Sequence, residues 1–128
     1  MAYIEHLAAR PIQTSFGIEV EGQAIGSISL MLGEDIARRT AEVGYWIGRE
    51  FWGRGIMVEA VRAVTQYGFE VLDLVRVFAV PFASSTRSNR VLEKAGYVKE
   101  GVMRRSAVKE GRILDQALYA AYSDRPLQ

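Results

Sequence analysis

The segment Phe51–Met57, FWGRGIM, restricts the fold more than any other part of this chain. It follows a β-rich stretch and leads directly into residues whose apolar positions have helical spacing. Gly53 and Gly55 leave backbone N–H groups uncovered by side chains, and the start of a helix adds a partial positive charge. Such a turn predicts an anion cradle, most often one for phosphate. A plain tight turn before a core helix is the alternative, so the rest of the chain must decide.

The pattern along the chain predicts one α/β domain over residues 1–128, with a mixed sheet and the order β-β-β-α-β-α-β-β. Strands are predicted over residues 16–20, 24–32, 42–48, 74–80, 97–108 and 113–122, and helices over 56–73 and 84–95. Residues 2–9 have modest helical character. A strand, a helix and a strand around the glycine turn predict a right-handed parallel crossover. In the third strand, alternation puts Val43, Tyr45 and Ile47 on one face and Glu42, Gly44 and Trp46 on the other.

Composition excludes several classes of function. The 128 residues include no cysteine, which removes disulfides, zinc-thiolate sites and cysteine nucleophiles. A net charge of +1 gives no reason to expect nucleic acid or a membrane surface as partner. No signal peptide and no run of transmembrane length is visible, so we expect a soluble, cytoplasmic domain. No cluster of Asp, Glu and His has the spacing of metal ligands, and we expect no metal.

Three segments carry a resemblance to a known family. Residues 41–48, AEVGYWIG, followed by 51–56, FWGRGI, resemble the acyl-CoA-binding core of the GNAT superfamily of N-acetyltransferases. Residues 88–97, SNRVLEKAGY, are similar to the second conserved helix of its RimJ/RimL-like branch, and residues 111–119 are similar to its ending. The likeness covers about residues 16–125 in the right order. It implies a GNAT-like acyl-CoA N-acyltransferase fold.

The resemblance also implies acetyl-CoA as cosubstrate and the residues that hold it. The pantetheine arm would pair like an extra strand with the backbone of Tyr45, Trp46 and Ile47. Backbone amides from Gly53, Arg54, Gly55, Ile56, Met57 and Val58 would hold the pyrophosphate. Arg54 and Arg90 are candidates for contacts with phosphate, with ordinary surface arginines as the alternative.

The chain departs from the family pattern at four positions. Trp52 and Met57 occupy the first and last positions of the Gln/Arg-x-x-Gly-x-Gly/Ala turn, and Met57 either crowds the phosphate or packs beneath it. The asparagine that often precedes the second helix falls on Ser85, whose hydroxyl can still bond pantetheine. The tyrosine that many members use as a general acid falls on Leu92, as is common in RimJ/RimL-like proteins.

Two residues are the catalytic candidates. Glu42 lies on the strand beside the expected thioester and could take a proton from the acceptor amine, directly or through water. Its alternative is an ion pair with Arg38 or Arg39. Ser88 could donate a hydrogen bond to the leaving thiolate, and its alternative is an ordinary serine at a helix start.

The N-terminal region leaves the function open at one point. Family members usually begin with a strand and two helices that wall the acceptor pocket, and residues 1–15 would keep at most the tail of that region. The pocket is then open, completed by a second subunit in a homodimer, or lost by truncation. The leading hypothesis is transfer of acetyl from acetyl-CoA to a protein N-terminus or a small amine by direct attack in a ternary complex. The alternatives are a non-catalytic acyl-CoA-binding or regulatory module, and a scaffold that pairs through exposed sheet edges.

Overall fold

The computed structural model describes residues 2–6 and 14–124, with side chains described from residue 14. The described part contains seven strands and two helices. In chain order these are β1 (Ala2–His6), β2 (Ser15–Val20), β3 (Gln23–Leu32), β4 (Thr40–Ile47), α1 (Ile56–Glu70), β5 (Arg76–Ala79), α2 (Thr86–Lys94), β6 (Val98–Lys109) and β7 (Arg112–Tyr122). Short 3₁₀ turns lie at Asp35–Ala37 and Arg49–Phe51.

All seven strands form one sheet in the order β1-β2-β3-β4-β5-β7-β6. Every pairing is antiparallel except that of β4 with β5, which α1 connects as a parallel crossover. The predicted order β-β-β-α-β-α-β-β is therefore confirmed for β2 to β7, and the glycine turn stands where the crossover begins. These predictions succeed because alternation in strands and helical periodicity are local signals.

The expected helical character of residues 2–9 is wrong over the part that is described. Ala2–His6 is a strand, and it pairs antiparallel with β2 from Ala2 opposite Val20 to His6 opposite Phe16. A strand edge offers a row of unpaired N–H and C=O groups, and pairing with it outweighs a weak helical preference in so short a segment. Residues 7–13 lie outside the described part of the chain.

The helices cover the face of the sheet that carries alternate β4 residues. Val43 and Ile47 are buried in one core cluster with Val61 and Val64 of α1 and Leu92 of α2. The predicted division of β4 is confirmed, because the Trp46 side chain on the opposite face is 61% exposed. Leu92 is fully buried, so the position of the family's tyrosine has become a core position.

Candidate functional site

Strand β4 separates from β5 halfway along its length. The two strands pair only over Thr40–Glu42 of β4 and Arg76–Phe78 of β5, whereas β4 stays paired with β3 up to Ile47. Among the described residues, no strand pairs with the β5 side of β4 from Val43 to Ile47. We call this opening the gap.

The register shows which β4 backbone groups face the gap. Gly33 N–H donates to Thr40 O and Gly48 N–H donates to Ile25 O, each at 2.9 Å, which fixes the hydrogen-bonded positions of the β3–β4 pair. Bonding direction alternates along an antiparallel strand. The N–H and C=O groups of Val43, Tyr45 and Ile47 therefore point into the gap. Those of Trp46 point toward β3, and its side chain lies on the face away from the helices.

The glycine turn beside the gap forms a cluster of free N–H groups, which we call the cradle. Gly53 and Gly55 adopt φ of 78° and 77°, a left-handed conformation that favours glycine. The first helical bond runs from Glu59 N–H to Gly55 O at 3.1 Å. Among the described residues, the N–H groups from Gly53 to Val58 have no backbone acceptor, so they and the helix N-terminus present positive potential to solvent.

The side chains of Met57 and Arg54, for which the sequence left two roles open, both point away from the cradle. Met57 is 6% exposed and belongs to the core cluster, so its bulk packs beneath the cradle while part of it still borders the cavity described next. The guanidinium of Arg54 lies 5.2 Å from the centre of the Phe51 ring and does not line that cavity. The cradle is thus formed by backbone groups, as its glycine content predicts.

A cavity of about 940 Å³ lies between the start of α1 and one face of α2. The cradle residues Gly53, Gly55, Ile56, Met57 and Val58 line one side of it. The other walls carry four cations, Arg62, Arg87, Arg90 and Lys94, against one carboxylate, that of Glu59. An opening of this size and charge fits an elongated, multiply phosphorylated ligand.

Three of those four cations, Arg62, Arg87 and Lys94, were not named as candidates from the sequence, whereas Arg90 was. Arg87, Arg90 and Lys94 are spaced by three and four residues, so they share one face of α2, a signal that the sequence contained. Arg62 comes from α1, and its Nη2 donates to the carbonyl oxygen of Lys94 at 2.7 Å. Only the contact between the two helices reveals that Arg62 belongs to the same wall.

Tyr45 of β4 and Ser88 of α2 are in contact, and neither residue lines the cavity. The phenol oxygen of Tyr45 and Oγ of Ser88 are 3.0 Å apart and form a hydrogen bond. Burial raises the pKa of Tyr45 above its ordinary value, while the bond to Ser88 and the charge of Arg87 act in the opposite direction. Ser85, which precedes α2, makes no capping hydrogen bond through its side chain, and its hydroxyl does not line the cavity.

Glu42 lies on the other face of the sheet, at the last position where β4 and β5 pair. Its half-buried carboxylate forms no hydrogen bond or ion pair with any described residue. Arg38 instead donates to the Asp35 carbonyl oxygen at 3.1 Å, and Arg39 pairs with Asp73 at 3.3 Å. Glu42 therefore does not form the ion pair with Arg38 or Arg39 that was the alternative to a catalytic role.

The described residues contain neither a metal-binding cluster nor a membrane-spanning helix. No group of three or more His, Asp or Glu side chains is placed to hold a metal ion. Neither α1 nor α2 is long and apolar enough to cross a membrane.

Comparison with known proteins gives consistent matches. A family model described as an acetyltransferase (GNAT) domain matches residues 2–98. The uncharacterized N-acetyltransferase YoaA of Bacillus subtilis (strain 168) is 40% identical over 87 residues, 68% of this chain and 49% of that protein. The ribosomal-protein-serine acetyltransferase of Escherichia coli (strain K12) is 29% identical over 109 residues, 85% of this chain and 60% of that protein.

A solved structure extends the likeness to three dimensions. Mycobacterium smegmatis RimJ in complex with CoA-disulfide superposes with a TM-score of 0.80 and 28% identity, over 86% of this chain and 53% of that one. The chain spans about half the length of the curated relatives it matches.

Proposed function

The chain belongs to the GNAT acetyltransferase family and is of the RimJ/RimL-like type, and on that premise we propose that it transfers an acetyl group from acetyl-CoA to a primary amine. The acceptor would be a protein N-terminus or a small amine. Attack would be direct, in a ternary complex of protein, acetyl-CoA and amine.

One observation carries the proposal: the free edge of β4 and the cradle open at the same end of the parallel β4–α1–β5 unit. Ligands of open α/β sheets bind at such an opening. The amide groups of a pantetheine arm match the N–H and C=O groups that Val43 and Tyr45 turn into the gap. The pyrophosphate matches the N–H groups of the cradle, and the cationic wall of the cavity matches the remaining phosphate.

The chain's own residues supply the groups that acetyl transfer requires. The amine nitrogen forms a bond to the thioester carbonyl carbon, and the carbon–sulfur bond breaks with its electron pair going to sulfur. A backbone N–H of Tyr45 or Ile47 in the gap would stabilise the oxyanion. Glu42 would accept the proton lost by the nitrogen, directly or through water, and Ser88 would donate a hydrogen bond to the thiolate.

The acceptor would approach from the open face of the sheet, on which Glu42 lies. Met31, 53% exposed, lies opposite Glu42 on β3, and Trp46, 61% exposed, lies four residues further along β4 on that face. A second copy of the chain could complete this side of the site, and we expect no nucleic acid or membrane partner. Light scattering of the purified chain over a range of concentrations tests the homodimer.

Calorimetric titration with acetyl-CoA, followed by measurement of CoA release with a panel of amines and peptides, tests the proposal. We expect micromolar binding and release of CoA that depends on the acceptor. Binding without release for any acceptor would contradict the enzymatic activity and support a non-catalytic acyl-CoA-binding module. The absence of binding by the folded chain would contradict both.

A further inference from the structure

We propose that Tyr45 is a positioning residue for acetyl transfer, whose phenol holds the Ser88 hydroxyl so that its proton points to the sulfur of the leaving thiolate. The inference rests on the proposed function. It assigns a role to the tyrosine side chain, whereas the resemblance implies a role only for the backbone of this residue.

The location of the Tyr45–Ser88 pair supports this role. Tyr45 lies on the part of β4 that has separated from β5, and its backbone groups face the gap. Its side chain is on the helix face and reaches Ser88 of α2 at 3.0 Å. The hydrogen bond thus joins the two elements between which an acyl-pantetheine arm would lie.

The chemistry of the two hydroxyl groups determines which of them donates the hydrogen bond. Each has one proton and can both donate and accept. If Ser88 donates to the thiolate, its oxygen is free to accept the phenol proton of Tyr45. The two consecutive hydrogen bonds, from phenol to hydroxyl and from hydroxyl to sulfur, strengthen as negative charge develops on sulfur. Since burial raises the pKa of Tyr45, the phenol keeps its proton for this purpose.

Ser88 does not have the simpler role of a helix-capping serine, because its hydroxyl bonds to Tyr45 and α2 begins without a side-chain capping bond. The Nδ2 of Asn89 donates to the carbonyl oxygens of Phe82 at 3.0 Å and Ser85 at 2.6 Å, which holds the chain at the start of α2. The hydroxyl of Ser88 bonds to Tyr45 instead of to the helix backbone. Capping of α2 therefore does not explain the pair, and the variants below separate a packing role from a role in catalysis.

The protein also contains a matched control. The phenol of Tyr97 and Oγ1 of Thr65 form a buried hydrogen bond of 2.6 Å, and neither residue is on β4, whose backbone faces the gap. Burial raises the pKa of Tyr97 to about 12. Tyr97→Phe removes the same chemical group as Tyr45→Phe, so it reports the purely structural cost of losing such a bond.

The kinetic test is a double-mutant cycle on kcat with Tyr45→Phe, Ser88→Ala and the double variant. Loss of a hydrogen bond to a charged acceptor predicts a fall of about 10- to 100-fold for Ser88→Ala. Tyr45→Phe should lower kcat by about 3- to 10-fold and leave the acetyl-CoA Kd within about twofold. Because Tyr45 acts through Ser88, it should have no further effect in the Ser88→Ala background.

Tyr97→Phe should lower the thermal midpoint and leave kcat unchanged. A Tyr45→Phe variant with the parent's kcat, or with an effect that persists in the Ser88→Ala background, would overturn the inference. An equal loss of kcat in Tyr97→Phe would also overturn it, since the effect would then be one of general stability.

A second measurement does not depend on turnover. The thiol pKa of bound CoA, followed by the ultraviolet absorption of its thiolate, should be lower in the parent than in Tyr45→Phe or Ser88→Ala, and unaffected by Tyr97→Phe. Equal thiol pKa values in parent and Tyr45→Phe would overturn the positioning role. A parent that binds CoA with the expected thiol pKa and releases no CoA from acetyl-CoA would contradict the proposed function alone.

Discussion

The indole N–H of Trp52 donates a hydrogen bond of 3.0 Å to the carbonyl oxygen of Ile47. This bond ties the turn before the cradle to the last residue of β4. The guanidinium of Arg87 lies 3.4 Å from the centre of the same indole ring, so Trp52 also joins the turn to α2. Trp52, a departure from the family pattern, thus links the three elements that surround the cavity.

Trp52→Phe tests this link, because phenylalanine keeps a ring beneath Arg87 and removes the N–H donor. We expect acetyl-CoA binding to weaken by about 3- to 10-fold and the free energy of unfolding to fall by about 1 kcal/mol. Calorimetric titration and urea denaturation measure the two effects. Unchanged affinity together with lower stability would show that the bond supports the fold without shaping the cradle.

Gly55→Glu should abolish acetyl-CoA binding, because it adds a side chain and a negative charge among the free N–H groups. Gly111 in the β6–β7 turn offers a matched control. Its φ of 75° is close to the 77° of Gly55, and an added Cβ would meet no atom within 4 Å at either position. Gly111→Glu should therefore carry a similar backbone strain of about 1–3 kcal/mol and bind acetyl-CoA like the parent. Equal losses of binding in the two variants would contradict a phosphate cradle at Gly55.

Glu42→Gln should lower kcat by about 100- to 10,000-fold and leave the Kd for acetyl-CoA unchanged, because only the proton acceptor is lost. The carboxylate has no partner among the described residues, so its removal should change the free energy of unfolding little. Steady-state kinetics with a saturating acceptor measures kcat. A variant with parental kcat would exclude Glu42 as the base.

The cationic wall predicts a dependence of binding on salt. Arg90→Gln combined with Lys94→Gln should weaken acetyl-CoA binding by several-fold at low ionic strength, and the difference should shrink as salt screens the charges. Calorimetric titrations of parent and variant with acetyl-CoA at two salt concentrations measure this difference in affinity. Lys99→Gln combined with Arg104→Gln is the control, since both residues are exposed on β6, neither lines the cavity, and the same two positive charges are removed. The same loss in the control would indicate an effect of net charge alone.

Glu100 should make stability depend on pH in acid. Arg76 pairs with both of its carboxylate oxygens at 2.8 and 2.9 Å, Tyr122 also donates to it, and these bonds lower its pKa from 4.5 to about 2. A lowered pKa means that the folded state binds fewer protons than the unfolded state. This stabilisation is complete above the unfolded pKa of 4.5 and is lost as the pH falls through about 2. In urea denaturation from pH 5 to pH 2, the free energy of unfolding should fall less for Glu100→Gln than for the parent. An equal fall in the two proteins would contradict a stabilising role of the Glu100 carboxylate.

The sequence predicted what its local patterns encode. Alternation along residues 42–48 gave the faces of β4, and the glycine turn gave the start of α1, because both signals lie within a few consecutive residues. The strand at Ala2–His6 was missed because its partner, β2, lies elsewhere in the chain. The Tyr45–Ser88 bond joins residues 43 positions apart, and no local pattern predicts it. The contribution of Arg62 to the cavity likewise depends on how α1 meets α2.

The short parallel pairing of β4 with β5 has a consequence for the whole domain. Strands β1–β4 and strands β5–β7 meet edge to edge only over residues 40–42 and 76–78, a seam of three paired positions. A ligand arm lying in the gap would lengthen that seam as a strand does, so its amides would become part of the sheet. Since a ligand that binds only the folded state stabilises it by mass action, the supply of acetyl-CoA would set how firmly the two halves of the sheet hold together. Bound acetyl-CoA would then be a structural element of the protein as well as a reactant.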